Sequence, residues 1–143
     1  ILDIRYLESI REREGGSYGV GVSATLTKEP TNKATLSIQF DTDPEKQEPI
    51  LAIVYQEISE IVENGPRSED LQKVKEIMLK NFAENLEENK WWLSALYNNY
   101  FNGFNLVDEY KKAVKGINGT TIQTALKNLV QQGNVIEVTM LPE

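Results

Sequence analysis

The chain contains no cysteine and no histidine. Those two absences remove zinc centres built on thiolate or imidazole, thiol chemistry and any histidine-based triad. What chemistry remains must come from carboxylates, Lys, Arg, Tyr, hydroxyls or backbone amides. Positive charge is also scarce: 15 Lys plus Arg face 22 Asp plus Glu, a formal charge of -7. That is the wrong sign for the counterion release that dominates nucleic-acid affinity, so nucleic acid is not an expected partner. No run approaches the ~18 apolar residues of a membrane span, and no membrane partner is expected either. The remaining composition, 143 residues with 40% hydrophobic and 26% charged, suits residues 1–143 as one domain with a single core. Because the sequence opens at Ile1 inside what reads as a helix, it is expected to be a piece of something larger, truncated at its N-terminus.

Ile4, Leu7 and Ile10 recur every three residues among Arg and Glu, which predicts an amphipathic helix ended by Gly15-Gly16. From Tyr18 the period changes to two: Tyr18, Val20, Val22, Ala24 and Leu26 alternate with small or polar residues as a strand. Glu29-Pro30-Thr31-Asn32 reads as a turn, and Ala34, Leu36, Ile38 and Phe40 alternate as the second strand of a hairpin. Asp43-Pro44 supplies an N-cap and first-turn proline for a helix carrying Leu51, Val54, Ile58 and Ile61, which Gly65-Pro66 stops. A third helix starts at Ser68 with Leu71, Val74, Met78 and Phe82 as its stripe. An aromatic-rich one then runs from Asn89 to Asn102-Gly103, and two shorter ones follow around Val107–Val114 and Ile122–Val130. Val135 to Leu141 reads as a closing strand. Together these predict an α+β fold, an antiparallel or mixed sheet with helices packed on one face.

The densest chemical signal is Arg11-Glu12-Arg13-Glu14-Gly15-Gly16-Ser17-Tyr18. A helix delivers Arg11 in its last turn, glycines let the backbone reverse, and Tyr18 opens the strand. Arg offers a planar fork of donors for a carbonyl or carboxylate, and Tyr a phenol that can donate to a developing oxyanion. On spacing alone the plainer alternative carries more weight: Arg11 pairing with Glu8, Glu12 or Glu14 on a solvated helix, and Tyr18 as a strand's first core residue. Glu57, Glu60 and Glu63 fall on the polar side of their helix and read as a solvated face rather than a metal cluster. Of the adjacent Trp91 and Trp92, one is expected in the core and the other at an inter-domain contact. Asn118-Gly119-Thr120 fits a glycosylation sequon but reads better as a turn and helix cap.

Arg-Glu-x-x-Gly-x-x-Tyr followed by Val-Gly-Val-Ser resembles the C-terminal, non-metal domain of the pitrilysin family of zinc metallopeptidases. The likeness extends through Phe40-Asp41-Thr42-Asp43-Pro44, the stop at Asn64-Gly65-Pro66 and Ser68-Glu69-Asp70-Leu71. It inverts the weighing of Arg11 and Tyr18. The resemblance implies a parent with an H-x-x-E-H zinc motif in an N-terminal domain, against which this domain closes over a peptide substrate. Residues 1–143 would be the second part of the C-terminal peptidase-like domain, with no cofactor of its own, the zinc lying in the metal-bearing domain of the parent. Arg11 would bind a substrate backbone carbonyl, and Tyr18 would hydrogen-bond the scissile carbonyl oxygen as it becomes tetrahedral. The implied function is a substrate-binding, catalysis-assisting fragment of a metalloendopeptidase, inactive alone. Separately, the missing N-terminal strands should leave an apolar sheet edge or helix face exposed, from which a homo-oligomer of the fragment is expected. A bacterial periplasm or envelope location is favoured over the cytoplasm. The rivals are a non-catalytic structural subunit of the same fold and an unrelated peptide-binding α+β module.

Overall fold

A computed structural model describes residues 1–13 and 17–140, with the side chains of residues 11–13, 17 and 18 excepted. Helix α1 (Leu2–Tyr6) runs straight into a π-helical turn, Leu7–Arg13. Strands β1 (Ser17–Thr27) and β2 (Lys33–Thr42) form an antiparallel hairpin, and a 3-10 turn, Pro44–Lys46, leads into α2 (Gln47–Asn64). Then come α3 (Ser68–Asn85), α4 (Asn89–Asn102), α5 (Leu106–Gly116) and α6 (Gly119–Gln131). The class is α+β, as the alternating periods predict. The chain divides into two compact units, Ile1–Pro66 with Gln123–Glu143, and Arg67–Ile122.

In the first unit the hairpin keeps the expected faces. Val20 lies opposite Phe40, Val22 opposite Ile38, Ala24 opposite Leu36 and Leu26 opposite Ala34, while Ser23 and Thr25 meet Ser37 and Thr35 on the polar side. The apolar face is half-buried at Val20, Val22, Ile38 and Phe40 and opens toward the turn, where Leu26 is 82% exposed.

Three expectations need correcting here. The first helix buries Ile10 as expected but not Leu7, and Ile4 only in part. Its inner face is Leu2, Arg5, Tyr6, Ser9 and Ile10, the i, i+3, i+4, i+7, i+8 stripe of a helix, with Leu7 44% exposed; a strict three-residue spacing drifts off that stripe, and the polar Arg5 and Ser9 on it hide it from an apolar pattern. Asp43 makes no side-chain capping bond, and α2 begins only at Gln47. Pro49 explains the delay: without an N–H it is tolerated only among the unbonded donors of a first turn. Finally, residues 134–140 form no strand, and Leu141 lies outside the described residues. A strand needs a neighbour's ladder, and among the described residues the only sheet is β1-β2. The segment is instead tied to α2 by side chains, Gln47 Nε2 donating to Thr139 Oγ1 at 2.9 Å and Tyr55 Oη to Glu137 Oε1.

At the far end of α2, Gly65 turns the chain with φ +79°, and Gln123 Nε2 donates to the carbonyls of Val62 and Glu63 at 3.0 and 2.9 Å. Those are among the last carbonyls that an α-helix leaves unpaired.

In the second unit Phe82 of α3 is the hub, stacked on Tyr110 at 4.6 Å and edge-on to Trp91 at 5.5 Å. Trp91 is half-buried and Trp92 is 38% exposed, its indole donating to the Leu86 carbonyl at 2.8 Å. Gly103 ends α4 in the left-handed region (φ +67°), and Asn105 caps α5 by accepting from the N–H groups of Val107 and Asp108. Asn118 Oδ1 accepts from the Thr121 backbone N–H at 2.9 Å, the cap expected at that sequon-like triplet.

Candidate functional site

Arg11 lies in the π-helical turn and Tyr18 is the second residue of β1. The side chains of both lie outside the described residues. The backbone that carries them departs from regular geometry on each side. Leu7–Arg13 is π-helical rather than α-helical. In the hairpin, Ser17 pairs with Thr42 but Val20 with Phe40, so β1 holds one residue more than β2 over this stretch and the irregularity falls at Tyr18 and Gly19. The strict alternation that runs from Val20 onward therefore does not extend across it to Tyr18.

Helix α1 is bound to both of its neighbours in the first unit. Asp3 Oδ1 accepts from the backbone N–H of Val22 at 3.1 Å, occupying a donor on the outer edge of β1. Tyr6 Oη donates to the Val54 carbonyl of α2 at 3.1 Å. Arg5 directs Nε and Nη2 onto one oxygen, Glu57 Oε2, at 2.6 and 2.5 Å, and the pair is buried. Within the helix, Ser9 Oγ donates to the Arg5 carbonyl at 2.8 Å, next to the change from α- to π-helical bonding. Burial, and after it the negative charge of Glu57, pushes the Tyr6 phenol well above the ordinary tyrosine range, so it is a neutral donor here.

Glu57 is thus not part of a solvated face, as its spacing with Glu60 and Glu63 suggests, but is only 9% exposed. A signal was present: Glu57 stands three residues after Val54 and four before Ile61, both buried, so it falls on the apolar stripe itself. Glu60 instead accepts from Asn64 at 3.0 Å, and Glu63 is exposed. Arg5 gave no comparable sequence signal, because its partner lies on another helix.

A zinc centre does not fit this chain. It has neither His nor Cys, and among the described residues no three Asp or Glu converge as ligands would. Among the described residues, no helix is long and apolar enough to cross a membrane.

Three likenesses to known proteins bear on this arrangement. A "Zinc protease PQQL-like" protein of Arabidopsis thaliana is 27% identical over 105 residues, which cover 70% of this chain. The periplasmic protease PqqL from Escherichia coli superimposes with a TM-score of 0.68 at 16% identity over 88% of the chain. A peptidase M16 inactive domain from Pseudomonas fluorescens does so with a TM-score of 0.66 at 18% identity over 87%. At such identities the two structures establish the fold. The chain spans 11% of the plant protein's length and 14% and 29% of the two solved chains. Residues 3–78, which include both Arg11 and Tyr18, match a single family over more than half of the sequence, and the chain belongs to that family, the peptidase M16 inactive domain.

Proposed function

We propose that this chain is the second part of the C-terminal, non-metal domain of a zinc metalloendopeptidase, and that it binds and orients the peptide while the metal-bearing domain of the parent holds the zinc. Arg11 binds a backbone carbonyl of the substrate with its planar donor fork. Tyr18 donates a hydrogen bond to the scissile carbonyl oxygen, a bond that strengthens as negative charge develops there. The observation that carries this reading is the irregular backbone on both sides of the motif, a π-helical turn ending at Arg13 and a strand irregularity at Tyr18. Both devices cost regular hydrogen bonding and are over-represented at functional sites, where they aim a side chain that a regular element would point elsewhere. A periplasmic or envelope location is proposed on the likeness to a periplasmic protease.

The test is Tyr18→Phe in the full-length peptidase, with zinc content checked. Loss of one oxyanion donor lowers kcat roughly a hundredfold or more and leaves KM nearly unchanged. Arg11→Ala raises KM instead, because a group that holds the substrate away from the reacting carbon binds ground and transition states alike. Wild-type kcat in Tyr18→Phe at full zinc occupancy would return the residue to an ordinary strand position and favour a structural role for the domain.

A further inference from the structure

We infer that Arg5 and Glu57 are positioning residues for Arg11, setting the π-helical turn that carries it; the assignment rests on the role proposed for Arg11 above. A π-helical turn has a poorer hydrogen-bond ladder than an α-helix, so the seven residues Leu7–Arg13 persist only where their surroundings hold them. The holds are concentrated on Arg5 and the residues just after it. Tyr6 and Ile10 are fully buried, and the Arg5 carbonyl receives the Ser9 hydroxyl next to the point where α-helical bonding gives way to π. The Arg5 guanidinium is fixed on α2 through Glu57. One residue is therefore held by its main chain and by its side chain, and Arg11 follows it in the same unbroken helical stretch.

Stability alone is a poor account of this pair. Both Arg5 donors fall on the same carboxylate oxygen, and Arg5 Nη1 is buried with no hydrogen-bond partner among the described residues. Two apolar side chains of similar volume would fill the space without the desolvation cost. What they would not supply is direction. The ion pair ties α1 to α2 at one point and the Tyr6 hydroxyl on the Val54 carbonyl ties it at a second, so the two together limit the rotation of α1 about its axis and its slide along α2, on which the placement of the following turn depends.

The experiment compares three variants of the full-length zinc peptidase: Arg5→Met with Glu57→Met, Arg11→Ala, and all three substitutions together. KM and kcat are measured on an internally quenched peptide, beside the urea midpoint and zinc content. The Met pair leaves no lone buried charge and is expected to fold with an unchanged or higher midpoint. It should raise KM roughly tenfold or more with kcat little altered, as misplacing a positioning group does. The triple variant should be no worse than Arg11→Ala, because the pair acts through Arg11. Should the Met pair not fold, Glu57→Asp, which keeps the charge but retracts the carboxylate, is judged by the same KM criterion. Wild-type KM in the folded Met pair, or an effect that multiplies with that of Arg11→Ala, would overturn the inference while leaving the proposed function standing. An unchanged KM in Arg11→Ala would defeat the function itself, and the positioning role with it.

Discussion

Arg5 and Glu57 are 52 positions apart in sequence, yet two nitrogens of the one meet a single oxygen of the other in the interior of the first unit. Breaking such a pair from one side leaves a buried charge uncompensated, which costs about 3–5 kcal/mol. Arg5→Ala or Glu57→Ala should each lower the urea stability of the chain by that order. Replacing both by Met should be close to neutral. If the single and double variants lost the same stability, packing volume rather than charge would be what the site requires.

The Tyr6 phenol extends the same contact and gives it a pH dependence. Its folded-state pKa is raised above the unfolded value of about 10, by burial first and by Glu57 second. Below pH 10 the tyrosine is neutral in both states and stability is unaffected. Above pH 10 the unfolded chain loses the proton first, so the native state binds more protons and stability falls as pH rises. The urea midpoint of the wild type should therefore drop more between pH 9 and pH 11 than that of Tyr6→Phe. The Phe variant should itself lose only about 0.5–1.5 kcal/mol at neutral pH. Parallel pH profiles for the two proteins would show that Tyr6 contributes nothing to alkaline unfolding.

The parts of this fold that were legible in the sequence are those decided by neighbours along the chain. The hairpin faces follow from strict alternation between Val20 and Leu26 and between Ala34 and Phe40, and Gly103 and Asn118 punctuate α4 and α6 by local backbone chemistry. What was misread depends on a distant partner. Glu57 is buried because Arg5 reaches it, and residues 134–140 lack a ladder because no described strand lies beside them. The inner face of the first helix includes Tyr6 rather than Leu7 because two of its members, Arg5 and Ser9, are polar and buried through partners that the apolar pattern does not show. Arg11 and Tyr18 are singled out only by the family resemblance of their motif, since spacing alone favours the plainer reading, and Arg5 and Glu57 belong to no motif.

Gly21 separates clearance for a partner from clearance required by the fold. A Cβ built there meets nothing within 4 Å, and the residue sits in the regular part of the ladder opposite Gln39. The chain itself does not require glycine at this position, so Gly21→Ala should keep or raise stability by up to about 1 kcal/mol. If a substrate backbone runs along this stretch of β1, the added methyl should weaken peptide binding in the full-length peptidase. Titration of the variant with a labelled peptide would check this, and unchanged affinity at unchanged stability would place the substrate path elsewhere.

Self-association tests the open half of the hairpin. Leu26 is 82% exposed on the same face as Ala24 and Leu36, and Val138 and Met140 are as exposed in the C-terminal segment of the same unit. Apolar surface of this kind favours association between copies, whereas a net charge of -7 opposes it. Salt screens the repulsion and leaves the apolar term, so sedimentation should show association that grows with protein concentration and is stronger at 0.5 M salt than at low salt. Leu26→Lys separates the two effects. It reduces the net negative charge, which by itself would promote association, while removing the exposed apolar side chain, so a shift toward monomer would identify the sheet face as the contact. An exposed position should change stability by no more than about 0.5 kcal/mol, so unfolding would not confound the result. A wild-type chain that stays monomeric at high concentration and high salt would mean that this face does not drive association.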